Sequence, residues 1–225
     1  MTAPETPPGR LLGRGAFLGL LAAGLGGVVV GDDLVRALSR GAPSLAGVVP
    51  GSGWRIYTVA PEMPDIPAAL HRVRVTGMVS RPAVLSLSDL ARIDDRRIVR
   101  DFHCVTGWSV DGVRWRGASV AAVLEHVGAD PAARAVRFVS AERPYEDTLT
   151  VAQARLDDVI LAFEMDGAPL RREHGGPLRL VMPRMYGYKS VKWVEGIVLE
   201  DRPRPGYWEQ NGYDADAWLD GADAA

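Results

Sequence analysis

Apolar and polar residues alternate over residues 72–79, which is the pattern of a half-buried β-strand. Within this segment, Val73 and Val75 are flanked by polar side chains. Further strands are predicted from Val, Leu and Ile content over residues 97–105, 135–140, 147–151, 159–165, 178–182 and 191–199.

Two short helices and a tight turn interrupt these strands. Ser88 precedes a helical stretch and is a suitable N-cap, and residues 119–127 form an amphipathic helix that ends at Gly128. Asp111 and Gly112 stand between two valines, a pair that favours a type I′ hairpin turn. Many strands, few helices and no regular βα alternation predict a mixed, β-rich α+β fold.

The N-terminal part of the chain has a different pattern. Residues 16–30 form an uninterrupted apolar run of 15 residues that follows two arginines and ends at two aspartates. This is the layout of an export signal, and it is short for a membrane span, which needs about 20 residues. A core helix is the alternative that fits the same length. Residues 13–18 also resemble a twin-arginine export signal in which Gly15 replaces the second arginine.

Two parts of the chain are therefore expected. Residues 1–45 would be an export signal or membrane anchor followed by a linker, with the anchor over residues 16–31, because no Ala-x-Ala cleavage site follows the apolar run. Residues 46–225 would form a single domain. This domain would lie outside the cytoplasm, on the periplasmic or cell-surface side of a membrane.

Composition adds two constraints. The chain has 225 residues, is 47% hydrophobic and 24% charged, and carries a net charge of -2, so it has no basic excess for nucleic-acid binding. Among 26 Lys and Arg residues only Lys189 and Lys192 are lysine. Both lie in the most cationic stretch, residues 171–192, where Glu173 is the only acid. Interspersed glycines and prolines would let backbone N–H groups and cations converge on an anion such as a phosphate ester.

Cys104 is the only cysteine, and it is predicted at the end of the strand over residues 97–105. A lone cysteine cannot form an intramolecular disulfide or supply half of a structural zinc site. Three roles stay open for it: a buried small residue, a reactive nucleophile, or a single thiolate ligand to a metal.

The run His-Cys-Val-Thr-Gly-Trp-Ser at 103–109 is followed by His-Gly-Gly-Pro-Leu-Arg-Leu-Val-Met-Pro at 174–183 and Tyr-Gly-Tyr-Lys-Ser-Val-Lys-Trp at 186–193. Together and in this order, these motifs resemble the sulfite oxidase family of molybdopterin enzymes. The resemblance extends over residues 54–218. It implies a sulfite-oxidase-type fold and a molybdenum–molybdopterin cofactor.

The resemblance also implies roles for eleven residues. Cys104 matches the family cysteine whose thiolate binds molybdenum, and Tyr213 falls at the spacing of an active-site tyrosine. With Arg55, these two are the expected catalytic residues, Arg55 and Tyr213 orienting the substrate. The residues expected to bind the cofactor are Trp54, Arg55, Ser140, His174, Arg179, Lys189, Ser190, Val191 and Lys192.

The Cys-Val-x-x-Trp-Ser form is more similar to the catalytic subunit of bacterial methionine sulfoxide reductase than to sulfite oxidases proper. Sulfite oxidases continue Cys-x-Gly-Asn-Arg-Arg, and Ser109 replaces the second arginine here. Fewer cations would favour a neutral sulfoxide or other small oxo compound over a sulfite dianion. The resemblance therefore implies two-electron oxygen-atom transfer. The sequence has no Cys-x-x-Cys-His haem motif, so a haem- or quinone-linked membrane protein would exchange the electrons.

Alternative functions stay open. The domain could be a catalytically inactive cofactor-binding or interaction module, a sulfite-oxidising enzyme, or a cofactor-free thiol enzyme with Cys104 as its nucleophile. Glu142 and Tyr145 could line a pocket or belong to a solvated loop.

Overall fold

The computed structural model describes residues 53–219, in which ten strands form two five-stranded sheets with short helices beside them. The strands are β1 (Val73–Gly77), β2 (Ala83–Leu85), β3 (Arg96–Cys104), β4 (Trp108–Ser119), β5 (Ala135–Ser140), β6 (Glu146–Thr150), β7 (Ile160–Met165), β8 (Ala168–Pro169), β9 (Arg179–Val181) and β10 (Val194–Glu200). The helices are α1 (Leu87–Ile93), α2 (Val120–His126), α3 (Val151–Ala154) and α4 (Tyr207–Gln210), with 3-10 turns at Arg172–His174 and Gly187–Lys189.

The first sheet has the strand order β2-β1-β10-β5-β6 and is mixed, because β1 and β10 run parallel whereas its other pairs are antiparallel. The second sheet has the order β3-β4-β7-β8, and β9 also pairs with β7; all its pairs are antiparallel. This combination of sheets and short helices confirms the predicted β-rich α+β fold.

Local patterns explain the first sheet and the helix beside it. Val73 and Val75 on β1 are fully buried, as the alternation predicted. Helix α2 begins after Ser119, whose hydroxyl accepts the N–H of Ala122, and it ends before Gly128 at a positive φ of 63°. The prediction of a helix over residues 119–127 is therefore confirmed.

The first helix begins two residues earlier than predicted. Ser86, not Ser88, is the N-cap of α1: its hydroxyl accepts the N–H of Asp89, and the Asp89 carboxylate accepts the N–H of Ser86. This reciprocal pair satisfies two backbone donors that the helix itself leaves open. Ser88 lies inside the first turn.

The prediction of a hairpin turn at Asp111–Gly112 is wrong. Both residues lie inside β4, where they stand opposite the single residue Asp101 and form a bulge. Gly112 has a φ of 62°, and its N–H donates to the Asp101 carboxylate at 2.7 Å. The hairpin turns instead between Cys104 and Trp108. The turn therefore places Cys104 at the tip of β3.

The expectations for residues 1–45, including the anchor over residues 16–31, lie outside the described residues. Within residues 53–219, no helix is long and apolar enough to cross a membrane. Trp54, which also begins the predicted resemblance, is described and packs against the second sheet through Phe102, Trp108 and Trp115.

Candidate active site

A cavity of about 360 Å³ lies beside the tip of β3. This volume is within the range of small-molecule sites. Its walls come from residues 54–59, the β3–β4 hairpin, the 3-10 turns and the segment that follows β10. Eight of the eleven predicted site residues line it: Trp54, Arg55, Cys104, His174, Arg179, Ser190, Lys192 and Tyr213.

The Cys104 thiol is half-buried at the cavity wall, with its Sγ 3.2 Å from the Thr106 hydroxyl. Phe102, two residues earlier on the same strand, lines the cavity too, as the period of two in a β-strand requires. The Phe102 and Trp108 rings stack at 5.9 Å and form a rigid wall on either side of the turn. The Cys104 sulfur therefore faces the cavity from a wall that is aromatic at this point.

His174 is buried at the end of the 3-10 turn Arg172–His174, and Gly175 follows it with a φ of 95°. A side chain at Gly175 would collide with Lys192, because its Cβ would lie 2.7 Å from the Lys192 Cβ. Gly175 thus lets the segment of His174 lie directly against that of Lys192. Burial, with repulsion from Arg179, lowers the pKa of His174 to about 4, so its ring is neutral at pH 7.

Arg179 on β9 is buried next to His174. Its guanidinium donates to the carbonyl oxygens of His174 at 2.9 Å and Ser190 at 3.2 Å, and it lies over the rings of Phe102 and Trp115. Within the described part of the chain it has no carboxylate partner. Burial accordingly lowers the pKa of Arg179 to about 10.

Lys192 provides a second cation, which is half-buried at the cavity wall. Its ammonium donates to the Tyr57 carbonyl at 2.6 Å and lies 4.2 Å from the centre of the Trp193 ring. Burial, followed by repulsion from Arg179, lowers its pKa to about 8. Desolvation and repulsion from Arg179 thus disfavour the ammonium, and an anion bound beside both cations would offset this cost.

Residues 54–60, here called the strap, cover one side of the cavity. The Glu142 carboxylate fixes the strap by accepting the N–H of Val59 at 2.7 Å and that of Ala60 at 3.3 Å. At the other end of the strap, the Trp54 ring packs against the His174 ring at 4.8 Å. Glu142 and Tyr145 are both buried in the cavity wall, which decides the alternative that the sequence left open for them.

Three predicted cofactor-binding residues do not line the cavity. Ser140 lies behind it, where its hydroxyl donates to the Lys192 carbonyl at 2.8 Å and accepts the N–H of Glu142. Val191 is buried in the core. Lys189 is also buried and pairs with Asp147 and Glu209. Because none of these three residues lines the cavity, their role in cofactor binding stays a prediction.

Tyr213 lines the cavity from the segment that follows α4. Its ring packs between those of Tyr188, at 5.3 Å, and Trp208, at 5.0 Å. Tyr188 and Trp208 line the cavity but were not predicted. The Tyr-Gly-Tyr spacing in 186–188 was the available signal for Tyr188.

The polar groups of the cavity fit a phosphate-bearing heterocycle. The buried Arg179 guanidinium and the half-buried Lys192 ammonium donate only to carbonyl oxygens within the described residues. A charge that is removed from water without a counter-ion is costly, so a bound anion would stabilise both. His174 Nδ1 and Trp108 Nε1 are buried beside the cavity without hydrogen-bond partners among the described residues. Cys104 adds one soft thiolate, which suits a metal that already has sulfur ligands. The residues therefore fit the cofactor that the motifs imply.

Phosphate binding to the cofactor-free protein should weaken as the pH rises through about 8, because Lys192 has a pKa of about 8 and loses its charge there. Below that pH the ammonium attracts the anion; above it, the attraction falls by up to about tenfold per pH unit. Titration calorimetry with a phosphate monoester at pH 7, 8 and 9 would measure this. Lys192→Arg, which stays charged, should remove this pH dependence, and a profile unchanged by the substitution would contradict the assignment.

Several known proteins are similar to this chain. The profile of a family described as "Oxidoreductase molybdopterin binding domain" matches residues 60–208. The uncharacterised oxidoreductase YuiH of Bacillus subtilis is 37% identical over 142 residues, which cover 63% of this chain and 71% of YuiH. Arabidopsis thaliana sulfite oxidase is 32% identical over 64% of this chain and 45% of its own length.

The methionine-sulfoxide reductase catalytic subunit MsrP of Gluconobacter oxydans is 33% identical over 61% of this chain and 49% of its own length. This chain therefore spans less than half of the named sulfite oxidase and MsrP. Among solved structures, the sulfane dehydrogenase SoxCD from Paracoccus pantotrophus has a TM-score of 0.57 and 24% identity, covering 63% of this chain and 41% of that one. This last similarity shows the fold.

Proposed function

The chain belongs to the family of oxidoreductase molybdopterin-binding domains, and we propose that it reduces a neutral sulfoxide, or a similar small oxo compound, with electrons from a separate protein. One observation carries this proposal. The only cysteine opens into the same cavity as His174, Arg179 and Lys192, which lie 70 or more residues further along the chain. A packed structural cysteine would need no such neighbours.

The domain binds a molybdenum–molybdopterin cofactor, and each group of residues has a proposed role toward it. The Cys104 thiolate would be the protein's ligand to molybdenum, with the thiol deprotonated by coordination. Arg179 and Lys192 would neutralise the pterin phosphate, and the neutral His174 ring would contact the heterocycle. Ser190 and Trp54 complete the walls. When bound, this group supplies two-electron oxygen-atom transfer.

The protein's own residues would hold the substrate against that centre. Tyr213 presents a phenol that can donate a hydrogen bond to the substrate oxygen, and Arg55 stands on the strap at the exposed rim. Reduction of a sulfoxide takes up two electrons and two protons and yields a sulfide and water. The strap and the apolar rim would exclude bulk water around the reacting oxygen.

The uncharged turn that follows Cys104 favours a neutral substrate. The residues after Cys104 that line the cavity are Val105, Thr106 and Trp108, and none of them carries a charge. Ser109, at the position of an arginine in sulfite oxidases, lies on β4 outside the cavity lining. A sulfite dianion would therefore find no cation in the turn that follows the thiolate. Of the cations that line the cavity, Arg179 and Lys192 would be neutralised by the pterin phosphate, which leaves Arg55. A sulfoxide needs no cation.

We expect the purified holoenzyme to reduce a dialkyl sulfoxide with a reduced dye at least about tenfold more efficiently, as kcat/KM, than it oxidises sulfite with ferricyanide. Thr106→Arg would place a cation beside Cys104 and should reduce the ratio of the kcat/KM for the sulfoxide to that for sulfite. Thr106→Gln is the uncharged control. Faster sulfite turnover in the native protein would contradict the proposed substrate class. Stoichiometric molybdenum without turnover of any oxo compound would favour the inactive module instead.

An electron-transfer partner and a place outside the cytoplasm belong to the same proposal. Two features support a partner: the sequence contains no haem motif, and MsrP is by its name one subunit of a larger enzyme. A haem- or quinone-linked membrane protein would exchange electrons singly with the centre.

The apolar run at residues 16–30 supports export or anchoring of the protein. Fractionation of cells that express the full chain, with and without residues 1–45, would test the location.

A further inference from the structure

A buried ionic cluster lies just behind the wall that carries Tyr213. The Lys189 ammonium contacts the Asp147 carboxylate at 2.6 Å and also pairs with the Glu209 carboxylate. It donates further to the Thr148 carbonyl at 2.9 Å. All three charged side chains are less than 10% exposed. None of them lines the cavity, so the proposed chemistry gives this cluster no direct part.

The cluster joins two segments of the chain that are far apart in sequence. Lys189 ends the 3-10 turn Gly187–Lys189, and Glu209 lies on α4. The second Glu209 oxygen accepts the N–H of Gly206 at 2.9 Å and so caps the same short helix. A side chain at Gly206 would collide with Asp147, because its Cβ would lie 2.7 Å from the Asp147 Cγ. The start of α4 at Gly206 therefore packs directly against Asp147, with no room for a side chain.

The two residues that hold the Tyr213 ring are the sequence neighbours of this ion pair. Tyr188 precedes Lys189, and Trp208 precedes Glu209. The Tyr188 hydroxyl also donates to the Asp214 carbonyl at 2.6 Å, and the Tyr213 N–H donates to the Trp208 carbonyl at 3.0 Å. A shift between the two segments would move both sides of the Tyr213 packing site together.

We propose that Glu209 and Lys189 are positioning residues that fix the Tyr213 phenol at the cavity wall by tying α4 to the 3-10 turn before it. This inference rests on the proposed role of Tyr213. Buried ion pairs are weak sources of net stability but can define one arrangement of the groups they join. Here the arrangement they define is the separation of Tyr188 and Trp208.

Glu209→Gln tests this inference, because Lys189 keeps Asp147 as a partner and the amide oxygen can still accept the N–H of Gly206. We expect kcat/KM for the sulfoxide to fall by about tenfold, the value of one well-placed hydrogen bond, with most of the loss in kcat. Glu125→Gln, on the exposed side of α2, is the matched control and should keep the native rate.

A double-mutant cycle with Tyr213→Phe separates positioning from general loss of stability. If Glu209 acts through Tyr213, Glu209→Gln should cost little once the phenol is absent. An equal loss in both backgrounds would overturn the proposal. Amide hydrogen exchange over residues 211–214 should also become faster in Glu209→Gln and stay native in Glu125→Gln; unchanged exchange would likewise overturn it. If Tyr213→Phe alone were silent, the proposed role of Tyr213 would fail, and exchange would still decide whether Glu209 fixes the segment.

Discussion

Replacing Cys104 by serine is expected to remove molybdenum-dependent turnover while leaving the fold intact. Loss of a residue outside the ligand set of a metal typically costs about 10–100-fold in metal affinity or activity, so loss of the only protein ligand should cost more than about 100-fold. The fold should tolerate the change, because the thiol is half-buried at the edge of the Phe102–Trp108 cluster and its one side-chain hydrogen bond is to Thr106. Metal and pterin analysis, with the paramagnetic resonance spectrum of the half-reduced enzyme, would measure the effect.

The control for this substitution is Thr106→Val, which removes the hydroxyl near the sulfur and keeps the ligand. It should retain molybdenum and lose far less activity than Cys104→Ser. If Cys104→Ser kept native spectra and native turnover, the thiolate would not be a ligand and the site assignment would fail. If the native protein contained no pterin but its thiol reacted rapidly with peroxide, the thiol-enzyme alternative would return.

The second large effect is expected at Arg179. Arg179→Met should reduce cofactor affinity by about 2–5 kcal/mol, the usual effect of removing one partner from a buried, hydrogen-bonded charge pair. The cofactor-free protein should suffer less. Its guanidinium is already buried without a carboxylate partner in the described chain, so the substitution removes a desolvated charge as well as hydrogen bonds to carbonyl groups.

The measurement is the cofactor content of purified protein, together with thermal unfolding of the cofactor-free form. Arg179→Lys keeps the charge but loses the planar fork, so it should retain an intermediate amount of cofactor. Arg97→Met, on the exposed face of edge strand β3, is the matched control. An Arg179→Met protein that kept a full complement of cofactor would show that the phosphate binds elsewhere.

Cys104 and Arg179 differ in how far their environment could be predicted from the local sequence. Cys104 could be predicted because it is the only cysteine and ends a strand, which is a local property. The burial of Arg179 could not be predicted, because β9 is only three residues long. The sequence around it is rich in cationic residues, and such a stretch is usually exposed to solvent. The Arg179 guanidinium is enclosed by Phe102 and Trp115, which come from strands more than 60 residues earlier.

Lys189 and Lys192, only three residues apart, also differ in how well the sequence predicted their surroundings. Both are lysines in one cationic motif, and both were predicted to bind the cofactor. Lys192 lines the cavity, whereas Lys189 points into the core toward Asp147 and Glu209. Lys189 is the last residue of the 3-10 turn Gly187–Lys189, whereas Lys192 lies beyond the end of that turn. Side-chain direction after a turn depends on backbone angles that composition does not specify.

The sequence by itself determined the fold class, most of the strands and the motifs that identify the family. These follow from periodicity, from single unusual residues and from the order of motifs, all of which are written along the chain. The tertiary structure decided which charges face the cavity, that Glu142 holds the strap, and that an ion pair stands behind Tyr213. Those outcomes depend on contacts between residues far apart in the chain. Burial sets the free energy of a charge, and burial exists only once the sheets and loops have packed.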